Sequence, residues 1–293
     1  MFEQIKKYIG IAIIILTAAS MAAIPGATGT ARGGDLDNSP ENRFLNLGSE
    51  KAAKGDHLAA VEAYSRALEI NPQSIEALMG RGWVLAQTGY LDEAVQDFSK
   101  VIAIEPKNAA AYLARGMVRH RLNQLGLAIS DYTSALDINS DLTTAYMQRG
   151  LAERHQKDFD QAIKDFSRAI KLEPGNADAW LQRGLAYYQK GDLDEAIEDT
   201  NEAIKRKPDM ADGYFNRAVY RRDQGDLAAA LADGRQALDL DPKDQAKKDF
   251  VADLESRPIT AKKPEKGDTA PSGAGSERKK SWPASCFSIL SMD

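Results

Sequence analysis

Arginine and aspartate recur together along this chain, and together they have the chemistry of hydrogen-bonded ion pairs. Five arginines are separated by 34 residues each: Arg81, Arg115, Arg149, Arg183 and Arg217. An aspartate follows each arginine after 16 residues: Asp97, Asp131, Asp165, Asp199 and Asp233. One interval earlier these positions hold Leu47 and Ala63, so the two types are absent together as well as present together. We therefore predict partly buried structural pairs; the alternative is an arginine row that contacts an anionic ligand.

Other residue types that could perform catalysis or bind a metal are sparse. His120 and His155 occupy neighbouring intervals, but two histidines without a third ligand do not define a metal site, and we predict none. The sequence has no phosphate-binding P-loop, no dinucleotide fingerprint, no HExxH and no GxSxG. We therefore predict that the chain is not an enzyme and that it has no cofactor.

The elements that must position these residues follow the same 34-residue interval. Proline marks it at the following positions: Pro72, Pro106, Pro174, Pro208 and Pro242, with Ser140 where a sixth would fall. Counting back from these positions divides the chain into six units: 41–74, 75–108, 109–142, 143–176, 177–210 and 211–244. A period of this length is typical of repeat arrays.

Each unit reads as two helices joined by a turn. Position 20 is alanine in every unit, and position 8 is glycine in all but the last. Small residues at helical spacing allow two helices to approach closely. The proline near the end of a unit stops the second helix. Asp192 and Glu195 have the spacing of a capping box that opens one of the second helices.

These positions resemble the tetratricopeptide repeat family over about 204 of the 293 residues. The resemblance implies an all-α fold, a right-handed superhelical solenoid of six helix–turn–helix repeats. The departures are Ser140 for proline, and Thr200 and Gly234 where the earlier units have an aromatic residue. An amphipathic helix at 245–256 is expected to cap the last repeat.

The resemblance also implies that the first helices line a concave groove that binds a peptide or helix. Its predicted partner-binding residues are Met79, Trp83, Leu113, Met117, His120, Arg121, Met147, Leu151, Arg154, His155, Leu181, Leu185 and Tyr188. The alternative is that the apolar members pack against the neighbouring first helix. Some relatives bind a partner's C-terminal carboxylate with Lys at position 5 and Asn at position 9. No unit here has Lys at position 5 or Asn at position 9.

The ends of the chain suggest export. Residues 1–26 combine Lys6 and Lys7 with an apolar run, and we interpret them as a signal peptide or an N-terminal anchor. Residues 27–40 read as a linker, with Ser39 and Pro40 opening the first helix. Residues 257–293 read as a disordered tail that carries the single cysteine, Cys286.

Together these features predict an exported, periplasmic scaffold that binds other proteins or peptides. The alternative is a membrane-anchored assembly factor, or an adaptor subunit for an envelope protease or peptidoglycan hydrolase. Membrane contact is expected only if the N-terminal segment is retained. The net charge of −5 and the lack of a basic stripe argue against nucleic acid as a partner.

Overall fold

The computed structural model describes residues 39–257, and all the regular structure in this range is helical. The predictions for residues 1–38 and 258–293 lie outside the described residues. The helices are α1 (Pro40–Ala53), α2 (His57–Ile70), α3 (Ile75–Thr88), α4 (Leu91–Ile104), α5 (Ala109–Arg121), α6 (Leu125–Ile138), α7 (Thr143–His155), α8 (Phe159–Leu172), α9 (Ala177–Lys190), α10 (Leu193–Arg206), α11 (Ala211–Gln224), α12 (Leu227–Leu240) and α13 (Gln245–Ser256).

The first twelve helices form six pairs that follow the 34-residue units. Each second helix spans positions 17–30 of its unit, including the unit where Ser140 replaces proline. Because α6 ends at Ile138 as the period requires, the missing proline does not shift the register. The predicted solenoid of helix pairs is confirmed.

The helix ends show which local signals were used. Ser39 caps α1 by accepting a hydrogen bond from the Asn42 amide at 3.1 Å, and Pro40 occupies the first turn, as predicted. The predicted capping box at α10 is absent, because Asp192 makes no side-chain cap. Its carboxylate lies 3.2 Å from the Lys190 ammonium instead. The competing charge on the preceding helix accounts for this difference.

Close packing within a pair depends on the glycine at position 8. A Cβ added at Gly48, Gly82, Gly116 or Gly150 would lie 2.6–2.8 Å from the ring of the aromatic residue at position 24. The ring therefore lies directly on the glycine backbone. In the last unit position 24 is Gly234, and Phe250 of α13 reaches within 3.3 Å of where its Cβ would be. The capping helix thus covers the place that has no aromatic side chain of its own.

The first helices form the inner layer of the solenoid. Each contacts its own second helix, the preceding second helix, and the first helices of the adjacent units. Second helices contact mainly first helices, so they are spread further apart along the stack. A stack that is closer on one side than on the other curves, and its concave side carries the first helices.

Candidate functional site

The arginine and aspartate rows form a ladder of ion pairs along the stack. In the fifth unit Arg183 donates from Nε and Nη2 to the two carboxylate oxygens of Asp199, both at 2.7 Å. The other four pairs have the same bidentate geometry, at 2.7–3.0 Å. All five aspartates are buried. Each pair joins the first helix of a unit to the second helix of the same unit.

Each ladder arginine also reaches the preceding unit. Its Nη1 donates to a polar side chain 16 residues earlier, at 2.6–3.0 Å: Ser65, Ser99, Thr133, Ser167 and Asn201. In four units its guanidinium also lies over an aromatic ring at position 4: Tyr112, Tyr146, Trp180 and Tyr214. These contacts engage all three guanidinium nitrogens and, in four units, one face of the guanidinium. The polar residue at position 25 recurs at the same interval, but sequence analysis did not recognise its role.

The residue at position 11 of the first helix changes the surroundings of the ladder aspartate in three of the units. Arg119 and Arg221 donate to Asp131 and Asp233 at 2.7 Å, which gives each of these aspartates a second arginine. In the fourth unit the same position is Glu153, a buried acid whose Oε2 has no hydrogen-bond partner among residues 39–257. Burial and the nearby charge of Asp165 raise the pKa of Glu153 to about 8, and Arg149 only partly opposes this. The side chain is therefore protonated at neutral pH.

The concave face carries an apolar stripe on the first helices of units two to four. The stripe consists of six half-buried residues, each of which also packs in part against the core: Met79, Trp83, Leu113, Met117, Met147 and Leu151. Two other residues predicted for this surface, Leu181 and Leu185, are only 8% and 5% exposed. They pack into the core with Met210 and Phe215, respectively. We correct the prediction accordingly, since Met210 at the end of the fifth unit and Phe215 of the sixth unit pack in the same core clusters as these two leucines.

A polar ridge runs beside the stripe, at the C-terminal ends of the first helices. Each step is a contact between neighbouring first helices: Arg121 Nη1 to the Ala86 carbonyl at 2.6 Å, His120 Nε2 to His155 Nδ1 at 3.0 Å, Arg154 Nη1 to Gln189 Oε1 at 3.4 Å, and the Tyr188 hydroxyl to Asp223 at 2.7 Å. Arg154 is buried, whereas Arg121 and His155 are exposed. The ridge therefore presents Arg121 and the two histidines to solvent.

The histidine pair is a hydrogen bond between two rings, which lie edge to face with centroids 5.1 Å apart. One ring must donate and the other accept, so at least one of them is neutral. Within residues 39–257 no group of three or more His, Cys, Asp or Glu side chains could hold a metal ion. Over the same range, no helix is both long and apolar enough to span a bilayer.

Comparison with known families agrees with the repeats seen in the structure. Two tetratricopeptide repeat models match, one at residues 45–109, 147–209 and 201–245, and the other at residues 109–142. These matches cover well over half of the chain, so the protein belongs to the tetratricopeptide repeat family. A comparison with curated proteins gives no significant match.

Solved structures show the same fold. The chain is 27% identical to MamA with a TM-score of 0.54, over 59% of this chain and 94% of that one. It is 21% identical to YrrB, described as having an unusual peptide-binding site, with a TM-score of 0.56 over 68% and 100% of the two chains. It is 19% identical to PilW, a type IV pilus biogenesis factor, with a TM-score of 0.65 over 75% and 100%. Tetratricopeptide repeat proteins are protein-binding scaffolds, and this chain shares their architecture.

Proposed function

We propose that this chain is an exported, non-catalytic scaffold that holds a peptide or helix of another protein in its concave groove. The apolar stripe is the observation that carries the proposal. Its six side chains are partly exposed on adjacent first helices, although the core residues around them are almost fully buried. Methionine and leucine are flexible enough to fit varied apolar side chains.

The polar surroundings fit the same interpretation. The ladder arginines are already paired with aspartates of their own units. The ridge beside the stripe offers hydrogen-bonding groups that could fix the register of a bound segment. Apolar anchors with a small number of orienting polar groups are characteristic of helix-in-groove recognition. YrrB, which has a similar fold, is described as having an unusual peptide-binding site, and this supports a peptide as the class of ligand.

Capture of partners from the native envelope tests the groove. We expect the Met117→Glu, Leu151→Glu variant to recover far less partner than the unmodified protein, because two charges in the stripe oppose apolar contacts. Leu127→Glu is the matched control, since Leu127 is an exposed leucine on the second helix α6. A circular dichroism melt establishes that each variant is folded. Equal recovery by all three proteins would refute the groove.

The proposed export rests on the composition of residues 1–26, and it has its own test. Fractionation of the native host, followed by mass measurement of the recovered chain, separates the outcomes. A periplasmic chain that has lost the N-terminal segment supports a cleaved signal peptide. A chain of full mass in the membrane fraction indicates an anchor, and a full-length cytoplasmic chain contradicts export.

A further inference from the structure

Arg121 differs from the ladder arginines because it has no acidic partner. Its Nη1 donates to the Ala86 carbonyl, and no carboxylate of residues 39–257 lies within 4.0 Å of its guanidinium. Partial burial of the guanidinium lowers the pKa of Arg121. A guanidinium that has lost water and gained no anion would be stabilised by a carboxylate from another molecule.

The last turns of the first helices around Arg121, in α3, α5 and α7, have no exposed acidic residue, and the nearest exposed acids in the sequence of α4 are Asp92 and Glu93 at its start. His120 and His155 are its neighbours on the ridge, and Arg154 is adjacent to His155 in sequence. The acid of α7 at this level is Glu153, which is buried and protonated at neutral pH. Asp223 lies two steps further along the ridge, where it accepts hydrogen bonds from Tyr188 and Arg222. The middle of the ridge is thus cationic, although the whole chain has a net charge of −5.

On each of the helices α5 and α7, a residue of the stripe lies next to a residue of the ridge. Met117 precedes Arg121 by four residues on α5, and Leu151 precedes His155 by four residues on α7. Residues four apart lie on the same face of a helix, one turn from each other. Each helix therefore offers an apolar contact with a basic or polar group directly beside it. A ligand complementary to this surface carries acidic residues next to apolar ones.

We propose that the centre of the groove binds an acidic segment of the partner protein, with a partner carboxylate on Arg121 and apolar partner side chains on Met117 and Leu151. The inference rests on the proposed function and specifies the chemistry of the partner. Charge complementarity of this kind sets specificity and orientation more than total affinity. Because Arg121 is exposed to solvent, we also expect binding to weaken as the salt concentration rises.

Fluorescence anisotropy with two labelled peptides tests the inference on the full chain. One peptide repeats Leu-Glu-Glu over about 12 residues, a length suited to a helix in a groove, and the other has Gln in place of Glu. We expect the acidic peptide to bind about tenfold more tightly, equivalent to one good ion pair. Arg121→Gln should remove most of this difference and Arg121→Lys should retain most of it.

Arg168→Gln is the matched control for loss of charge. Arg168 lies on the second helix α8, where its guanidinium is over the Tyr146 ring, and no carboxylate in the described range 39–257 lies within 4.0 Å of it. This variant should keep the full preference for the acidic peptide. If Arg168→Gln and Arg121→Gln lost the preference for the acidic peptide equally, the effect would be one of overall charge, and the proposed site at Arg121 would be refuted.

The remaining outcomes separate the inference from the proposed function. The two peptides could bind with equal affinity, and the Met117→Glu, Leu151→Glu variant could fail to bind either. That result would overturn the acidic preference but support the groove. Failure of both peptides to bind would overturn the inference. A preference for the acidic peptide that is unchanged in Met117→Glu, Leu151→Glu would place recognition outside the groove and contradict both. Displacement of the peptide by single-stranded DNA of equal charge would overturn the assignment to protein.

Discussion

Glu153 is the residue whose environment departs most from its neighbours in the ladder. Positions equivalent to it hold Arg119 and Arg221, which add a donor to the buried aspartates. Glu153 instead places a second carboxyl group near Asp165 in a region shielded from water. Two buried carboxylates cannot both ionise at low cost, so one retains its proton. The protonated Glu153 carboxyl group can donate a hydrogen bond to Asp165. Asp165 then stays ionised and pairs with Arg149.

This arrangement predicts a specific dependence of stability on pH. Glu153 has a folded-state pKa of about 8, raised from 4.5, so the fold binds this proton more tightly than the unfolded chain does. The stabilisation is complete below pH 4.5 and is lost as the pH rises through 8. Glu153→Gln, which is neutral at all pH values, should therefore gain stability relative to the unmodified protein over this range, by on the order of 3 kcal/mol above the folded-state pKa.

Urea unfolding of both proteins at a series of pH values measures this difference. The matched control is Glu62→Gln, because Glu62 is an exposed helical glutamate on α2. The free energy of unfolding of Glu62→Gln, relative to that of the unmodified protein, should not change with pH in the same way. A difference for Glu153→Gln that is constant with pH would mean that Glu153 is ionised in the folded state.

At the scale of helices, the ladder arginines join three elements at once. Arg183 lies on α9, pairs with Asp199 on α10, and donates to Ser167 on α8 at 2.9 Å. The glycines at position 8 add close contact within each pair, since the aromatic ring of the second helix lies on their backbone. The ladder thus fixes the angle between a pair and the unit before it, while the glycine contact fixes the distance within the pair.

Removing single aspartates should reveal how much each step of the ladder depends on its surroundings. Asp199→Ala leaves Arg183 without its carboxylate and should cost about 3 kcal/mol. Asp131→Ala should cost more, because it strands both Arg115 and Arg119. Asp165→Ala should cost less, because Glu153 can then ionise and pair with Arg149. Free energies of unfolding in urea give the order.

The control for this series imitates the first unit, where Leu47 and Ala63 replace the pair. The double variant Arg183→Leu, Asp199→Ala should be more stable than Asp199→Ala alone, because no buried charge is left unpaired. Equal costs for the three aspartates would show that position 11 does not influence the ladder. Strict additivity of the double variant would show that Arg183 and Asp199 do not interact.

At the scale of the whole molecule, the main helix contacts in residues 39–257 lie within a unit or between adjacent units. Its C-terminal end is closed by α13, where Phe250 is 2% exposed and packs on Gly234 and Phe215. Lys247 fixes the same helix, since its ammonium lies 3.1 Å from Asp212 and 2.8 Å from Asp244. Stability in such an array is approximately a sum of nearest-neighbour terms.

Loss of the cap should therefore act locally. Phe250→Ala should accelerate amide hydrogen exchange in α11, α12 and α13, and leave exchange in α1–α6 unchanged. Phe98→Ala, which removes an equally buried ring from α4, should shift the effect to the second unit and its neighbours. Uniform acceleration in both variants would mean that the array unfolds as a single cooperative unit.

Much of the fold followed from the sequence because the period allowed each position to be compared six times. The helix pairs, their bounds and the ladder partners are all consequences of residue types that recur every 34 positions. The role of position 25 could have been recognised in the same way, since Ser65, Ser99, Thr133 and Ser167 share that spacing. The absent cap at Asp192 could not, because a nearby lysine competed for its carboxylate.

The sequence by itself determined the repeat, the register and the chemistry of the ladder, because these depend on local helical preference and on residue types that recur. Only the tertiary structure decided which side chains are exposed. Leu181 and Leu185 occupy the same positions as Leu113 and Met117, but they are buried by packing with Met210 and with the sixth unit, respectively. The hydrogen bond from Arg121 to the Ala86 carbonyl likewise depends on contact between units, whereas the proton on Glu153 depends on how the two helices of the fourth unit pack. The Arg–Asp pairs form within single repeats, but the burial of a side chain depends on the repeats packed against it, and one repeat alone does not determine it.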